Sequence, residues 1–369
     1  MKAAFLCLIA MVACSFTLSQ DTPTAAKPAW QLAAEKQVAP LLEKKQLNAV
    51  MIGVVDRTGK KHCLALGDKP DNLTRLDEHT IFEIGSISKT MTSMILADGV
   101  QRMEIKLDDP VQNYLPKGMV MPKRGDHVIT LEDLATHTSG LPRLAPLQMS
   151  QLADPKVRAN PYATMNAEQL KQALAEAKAK ESKTPTPAYS NFGVSLLGYT
   201  LCQKYGKSYE SLLKERILEP VGMKETWLVV PEAEKVRFID GFDAAGKLST
   251  HWDFTDITAG AGGIRSTTHD MLLYVEAGMG RSKGLRIAFD VALHPQYEMG
   301  RQGQIGLGWL LGEMEGKRFA WHNGGTGGFS TFCAFSKSPG VGVVVLSNRS
   351  KPGGEIDRLG MTVLRELLK

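Results

Sequence analysis

A serine and a lysine stand three residues apart in "IGSISKT", at Ser86 and Lys89, and in a helix that spacing puts both side chains on one face. Their types suggest an alcohol nucleophile served by an amine base, because a serine hydroxyl attacks a carbonyl poorly until its proton is removed. A lysine starts at a pKa of about 10.4, so it acts as that base only where burial or a nearby cation favours the neutral amine. Spacing alone decides nothing, since Ser211 and Lys214 repeat it in "SYESLLKERILEPVG". The settings differ. Ser86 follows Gly85 and a strand-like "FEI", then opens a helix read as amphipathic, with Met91, Met94 and Ile95 directed inward. A serine there is ordinarily an N-cap, yet the same place offers a nucleophile free backbone N–H groups and the positive end of the helix dipole. Ser211 and Lys214 lie within a helix whose apolar face is Leu212, Leu213, Ile217 and Leu218, and that copy reads as structural.

The elements that must position Ser86 come from a chain of 369 residues, 43% hydrophobic, enough for one large domain or two lobes. Lys and Arg number 44 against 39 acidic residues, and the +5 balance is spread along the chain, which argues against a nucleic-acid partner. Helical spacing from Trp30 to about Lys45 precedes "AVMIGVVDRTGKKHCLALG", a hairpin turning at Asp56–Gly59. The far end mirrors it: "FAWHNGGTGGFSTFCAF" and "VGVVVLSN" read as antiparallel strands, before a helix with Ile356, Leu359, Val363 and Leu367 on one face. Between them the pattern is mostly helical. Thr130 to Asp133 matches a capping box, Gly140 with Pro142 is read as closing that helix, and Glu168–Lys183 as an amphipathic surface helix. The expected architecture is α/β: one antiparallel sheet from both chain ends (about 29–85 and 305–369) flanked by helices, an inserted helical lobe (about 86–304), and a cleft at the join.

Lys2, the apolar "AAFLCLIAMVACSFTL" and the polar "SQDTPTAAKP" have the layout of a secretory signal, read as residues 1–19; "MVAC" also loosely fits a lipoprotein cleavage site ending at Cys14. The run is short for the ~20 apolar residues of a spanning helix, and no later segment is a candidate. Beyond the leader, Cys63, Cys202 and Cys333 form no disulfide framework or zinc pattern and read as core residues. No H-E-x-x-H occurs, and no cofactor or metal is expected.

Further residues then fall into order. Ser86-x-x-Lys89, Tyr189-Ser190-Asn191 in "TPAYSNFG" and His322-Asn323-Gly324 in "WHNGGTGGF" resemble, in sequence and spacing, the three motifs of the penicillin-recognising serine hydrolases. The likeness is closest to class C β-lactamases and the related D-Ala-D-Ala carboxypeptidases and esterases. "ITLEDLATHTSGLP" and "ILEPVGMKET" also resemble this family's helical lobe. The resemblance implies the β-lactamase/transpeptidase-like fold and an acyl-enzyme on Ser86. It further implies that Lys89 and the Tyr189 phenol share the proton traffic and that Asn191 orients the substrate amide. S-x-x-K enzymes differ in their acylation base; here Y-x-N suggests the tyrosine route, with Lys89 and a protonated His322 as the cations that would lower a phenol from its usual value near 10. Glycines 324, 325, 327 and 328 clear a strand edge for an acyl group. By family analogy the Gly325 N–H joins that of Ser86 as an oxyanion hole, with Gly324 and Thr326 beside it.

One departure bears on substrate. His322 stands where the family's β-lactamases typically have lysine; a histidine near pKa 6.5 is shorter and only partly cationic, so its grip on a substrate carboxylate would be weaker and pH-dependent. Arg143, in "GLPRLAP", offers an alternative carboxylate partner. The expected function is an exported, periplasmic serine hydrolase acting on a β-lactam. A D-Ala-D-Ala carboxypeptidase or endopeptidase of cell-wall peptides comes second, an esterase third, and a non-catalytic penicillin-binding sensor last. The protein is expected to act as a monomer.

Overall fold

A computed structural model describes residues 26–69, 71–146, 153–182, 184–282, 284–300, 303–350 and 354–369; the leader read at 1–19 and Cys14 lie outside them. The N-terminal half runs α1 (Ala29–Glu43), β1 (Ala49–Val55), β2 (Lys61–Gly67), β3 (Ile81–Glu83), α2 (Ser88–Gln101), α3 (Leu131–Ala135), α4 (Pro155–Ala159) and α5 (Ala167–Glu176). Next come α6 (Asn191–Tyr205), α7 (Tyr209–Leu213), α8 (Glu219–Val221), β4 (Gly241–Phe242), β5 (Leu248–Ser249), β6 (Arg265–Thr267), α9 (Thr268–Gly278) and α10 (Arg286–Ala292). The chain closes with β7 (Tyr297–Glu298), β8 (Gln304–Ile305), β9 (Leu310–Met314), β10 (Lys317–Gly325), β11 (Ser330–Ser336), β12 (Val341–Ser347) and α11 (Glu355–Leu368).

Valine- and isoleucine-rich β1 and β12 are buried at every position, as strands covered on both faces must be. They pair antiparallel beside the edge strand β2 in an eight-stranded sheet ordered β2-β1-β12-β11-β10-β9-β8-β7. Both ends of the chain therefore build one sheet. Alternation sorts its side chains: Val50, Ile52, Val54, Phe332, Val343 and Val345 meet Trp30, Val38, Ile356, Leu359 and Val363 of α1 and α11. Met51, Cys333, Phe335, Val344 and Leu346 face the opposite layer with Met271, Leu272 and Val275 of α9, so a helix inside the stretch read as the inserted lobe packs directly on the sheet. Close approach on both faces needs glycine. An ideal Cβ on Gly53 would lie 2.6 Å from Thr268 Cγ2 of α9, and one on Gly360 of α11 only 2.1 Å from the Phe332 ring.

Several local expectations change. Cys63 is exposed, because β2 is an edge strand whose odd positions face water, whereas Cys202 and Cys333 are buried. Thr130 and Asp133 form the expected capping box, but α3 stops at Ala135, well before Gly140, and the chain turns at His137 with φ 61°. The surface helix read to Lys183 ends at Glu176, where Ala177 is extended; Lys183 lies outside the described residues. Helix α2 is buried all round rather than amphipathic, as a helix surrounded by others must be. Two of its polar side chains find partners there: Thr92 Oγ1 lies 2.7 Å from Tyr209 OH, and Asp98 accepts from Arg216 Nη1 at 3.0 Å. No helix among the described residues is long and apolar enough to cross a membrane.

Candidate active site

The β3 strand delivers the chain to Ser86. Gly85 takes φ +53°, a left-handed value that glycine adopts cheaply, and residues Gly85–Ile87 form a 3-10 turn that runs into α2. Neither that turn nor α2 is capped by a side chain, so Ser86 is not spent as an N-cap. Its Oγ instead lies 3.0 Å from Lys89 Nζ, one turn along. Lys89 is fully buried and also donates to the Ala261 carbonyl. Loss of water around the amine, reinforced by the charge of Arg143, pushes its pKa well below the usual lysine value, favouring neutral Nζ. At the second copy of the spacing, Ser211 and Lys214 are exposed, and Ser211 Oγ accepts from Ser208 Oγ at 2.8 Å.

Tyr189 precedes α6, whose N-cap is Ser190, its Oγ accepting from Gly193 N at 2.8 Å. The phenol hydrogen-bonds Ser86 and sits inside the protein, where burial raises it to about 12 against lowering contributions from that hydrogen bond and from Arg143. Lys89 Nζ stands 5.0 Å from the Tyr189 ring centroid, and the Arg143 guanidinium carbon 5.1 Å. The expected lowering of the phenol fails because burial works against charge on both groups expected to supply it. Lys89 is desolvated, and His322, buried at 3% exposure, is lowered to about 4 by desolvation and by Lys89. His322 Nδ1 lies 2.6 Å from the Asn323 carbonyl. It is therefore neutral at ordinary pH, which replaces the expected pH-dependent grip on a carboxylate.

Strand β10 brings its glycines against the turn that carries Ser86. An ideal Cβ on Gly85 would lie 2.6 Å from Gly325 N, and one on Gly324 would lie 2.1 Å from the Ile84 carbonyl oxygen. Thr331 Oγ1 donates to that same oxygen at 2.8 Å, pinning β11 to the turn as well. A cleft of about 440 Å³ opens here, lined by Ser86, Arg143, Tyr189, Gly324, Gly325 and Phe329 among others. A larger cavity of about 790 Å³, beside β9 and Asp290, His294 and Lys337, is lined by none of the residues expected to do chemistry. Behind the small cleft, Asn191 Nδ2 donates to Tyr162 OH at 2.7 Å, while its Oδ1 is buried without a partner. Thr326 is buried too, its backbone N–H donating to Phe329 O at 3.1 Å to shape the turn after β10.

Some neighbours carried no sequence signal. The His137 ring packs on Tyr189, centroids 4.5 Å apart, and its Nδ1 accepts from Ser190 N at 3.2 Å; burial holds it neutral. Asn323 Nδ2 donates to Asp357 Oδ2 at 2.7 Å, and Asp357, a carboxylate of α11, lines the cleft as Arg143 does. His137 sits in the "THTSG" stretch, where the capping box drew attention to the helix rather than to the ring beyond it.

Residues 34–365 match the family described as Beta-lactamase. Over 356 residues the chain is 28% identical to a β-lactamase of Pseudomonas fluorescens, covering 87% of this chain and 94% of that protein. Over 297 residues it is 30% identical to the D-alanyl-D-alanine-carboxypeptidase/endopeptidase AmpH of Escherichia coli (strain K12), covering 76% of this chain and 74% of that one. Two solved structures share the fold. A class C β-lactamase mutant superposes with TM-score 0.75 at 23% identity, covering 91% of this chain and 96% of that one. A β-lactamase/D-alanine carboxypeptidase from Pseudomonas syringae gives 0.77 at 19%, covering 91% and 99%.

Proposed function

Since the chain belongs to the beta-lactamase family, whose members here are serine hydrolases, we propose that it is an exported enzyme that opens the β-lactam amide through an acyl-enzyme on Ser86. The observation that carries this reading is the 3.0 Å contact between Ser86 Oγ and a fully buried lysine whose neutral form is favoured. Neutral Nζ uses one N–H on the Ala261 carbonyl, leaving its lone pair for the serine proton. Tyr189, raised to about 12, keeps its proton and suits the opposite task of donation.

In acylation, Ser86 Oγ bonds to the lactam carbonyl carbon as its proton passes to Lys89 Nζ. The tetrahedral oxyanion is met by the N–H groups of Ser86 and Gly325, each such donor being worth about 3 kcal/mol in typical enzymes. Collapse breaks the C–N bond; the nitrogen takes the Tyr189 proton, and Lys89 returns one to the phenolic oxygen. Water then attacks the ester carbonyl, its proton travelling the same relay in reverse, and Ser86 leaves with its hydrogen restored. Asn191 steadies the substrate amide, His322 and Thr326 back the strand, Gly324 gives the acyl group room, and Arg143 takes a substrate carboxylate. The leader at 1–19, whose layout is that of a secretory signal, supports export to the periplasm.

A second reading, a D-Ala-D-Ala carboxypeptidase or endopeptidase, is favoured by the neutral His322 in the position where the family's β-lactamases typically carry lysine. Nitrocefin hydrolysis and D-Ala release from a peptide ending in D-Ala-D-Ala, followed on one preparation, separate the two. Many nitrocefin turnovers per chain are expected. One equivalent of colour with sustained D-Ala release would establish the second reading, and neither signal would overturn both.

The pH profile tests the charge of His322. With its pKa at about 4 it does not titrate between about pH 5 and 8, so His322→Asn should leave the acid limb of kcat/KM where it is. A limb that moves by half a unit or more would mean the imidazole gains its proton in that window.

A further inference from the structure

Three segments far apart in sequence meet at the end of the β3–β6 pair where β3 begins and β6 ends. They are the residues before β3, the loop after α8 and the first turn of α9, and they bring together His79, Glu225 and His269. One ligand atom from each lies within 4.8 Å of those of the other two. His79 Nδ1 is 2.9 Å from Glu225 Oε2, and His269 Nδ1 is 4.0 Å from the same oxygen. The two imidazoles stand 5.3 Å apart between centroids, tilted by 34°. A histidine–carboxylate pair would account for His79 and Glu225 alone. It gives no reason for a second imidazole to approach that oxygen from α9.

The surroundings fix these groups in place. Thr267 Oγ1 donates to Glu225 Oε2 at 3.1 Å, and Arg237 Nη1 donates to Oε1 at 3.1 Å, so the carboxylate turns Oε2 toward both rings. Arg237 Nη1 also donates to the His79 carbonyl at 2.6 Å. Asp270 Oδ1 lies 3.0 Å from His269 Nδ1, the nitrogen that also faces Glu225, and holds the ring in that orientation. All three side chains keep access to water, at 42%, 22% and 43% exposure, so an ion can enter with a water of its own.

We propose that His79, Glu225 and His269 form a binding site for a divalent transition-metal ion of the zinc class. Two imidazole nitrogens and one carboxylate oxygen are the donors such ions favour, and water would complete the fourth position. The guanidinium of Arg237 opposes the ion's charge, so the site binds less tightly than an all-anionic one. Its effect is on the fold: the ion would clip the entry of β3, which runs on to Ser86, to the junction of β6 and α9. The proposal is independent of the chemistry at Ser86.

The test uses untagged, metal-free protein titrated with zinc sulfate near neutral pH, with bound metal counted after equilibrium dialysis and Tm measured alongside. One zinc per chain and a Tm raised by roughly 2–4 °C are expected. In the His79→Gln/His269→Gln double variant, affinity should fall at least about tenfold and the Tm rise should vanish. His269→Gln alone keeps the His79–Glu225 pair, and should also lose binding. Absence of stoichiometric zinc on the parent would overturn the proposal, as would unchanged affinity in both variants, which would put the ion on other histidines.

Discussion

Lys89→Met is expected to lower the rate of acylation by a fluorescent penicillin by about 10³-fold, the range removed with a general base. Methionine fills nearly the same buried volume without an amine, so the only group left beside the Ser86 hydroxyl is the Tyr189 phenol, which holds its own proton. The variant should nonetheless fold. It leaves the Ala261 carbonyl without its Lys89 donor, but it also relieves the burial of a group that prefers water when charged. Stopped-flow acylation together with Tm separates a chemical loss from a folding one. Tyr189→Phe sharpens the assignment: a phenol raised to about 12 is a poor base, so this variant should acylate faster than Lys89→Met. The reverse order would hand the base role to the phenol.

Gly85→Ala should cost about 10²-fold or more in kcat, by pushing apart the Ser86 and Gly325 N–H groups proposed to meet the oxyanion. Its Cβ would arrive 2.6 Å from Gly325 N and 2.9 Å from Gly325 O, which are backbone atoms and cannot rotate away. The residue also sits at φ +53°, where alanine is strained. The nucleophile's turn and β10 must therefore separate, and one donor lost from such a site costs 10²–10³ in typical enzymes. If kcat falls while KM moves little, the amides act on the transition state. A variant with kcat within threefold of the parent would show that the two segments do not act together on the oxyanion.

Much of this site was legible from residue types. Ser86 and Lys89 could be chosen over Ser211 and Lys214 because a serine at the mouth of a helix, after a glycine and a strand, has free amides near it, whereas one on an exposed helix face has none. The valine-rich runs at both ends were legible as strands of one sheet, and their burial at every position shows that the sheet is covered on both faces. Protonation was not legible. Whether Lys89 and His322 are charged depends on how completely the chain excludes water around them, and that is a property of packing among β10, α2 and the Ala259–Ala261 turn. The expectation of a cation-lowered phenol failed for this reason. His137, Tyr162 and Asp357 were missed because loops carry no period, and a helix face reveals amphipathicity but not which polar residue turns into a cleft. Cys63 was misread since an apolar neighbourhood in sequence does not say which side of an edge strand faces water.

The most direct measurement is the intact mass of the protein after brief incubation with a penicillin, followed by peptide mapping of the adduct. The account predicts a gain of one penicillin mass on the peptide that contains Ser86, decaying as product appears, and no gain in Ser86→Ala. An adduct that persists in Ser86→Ala, or that maps to another side chain, would contradict it.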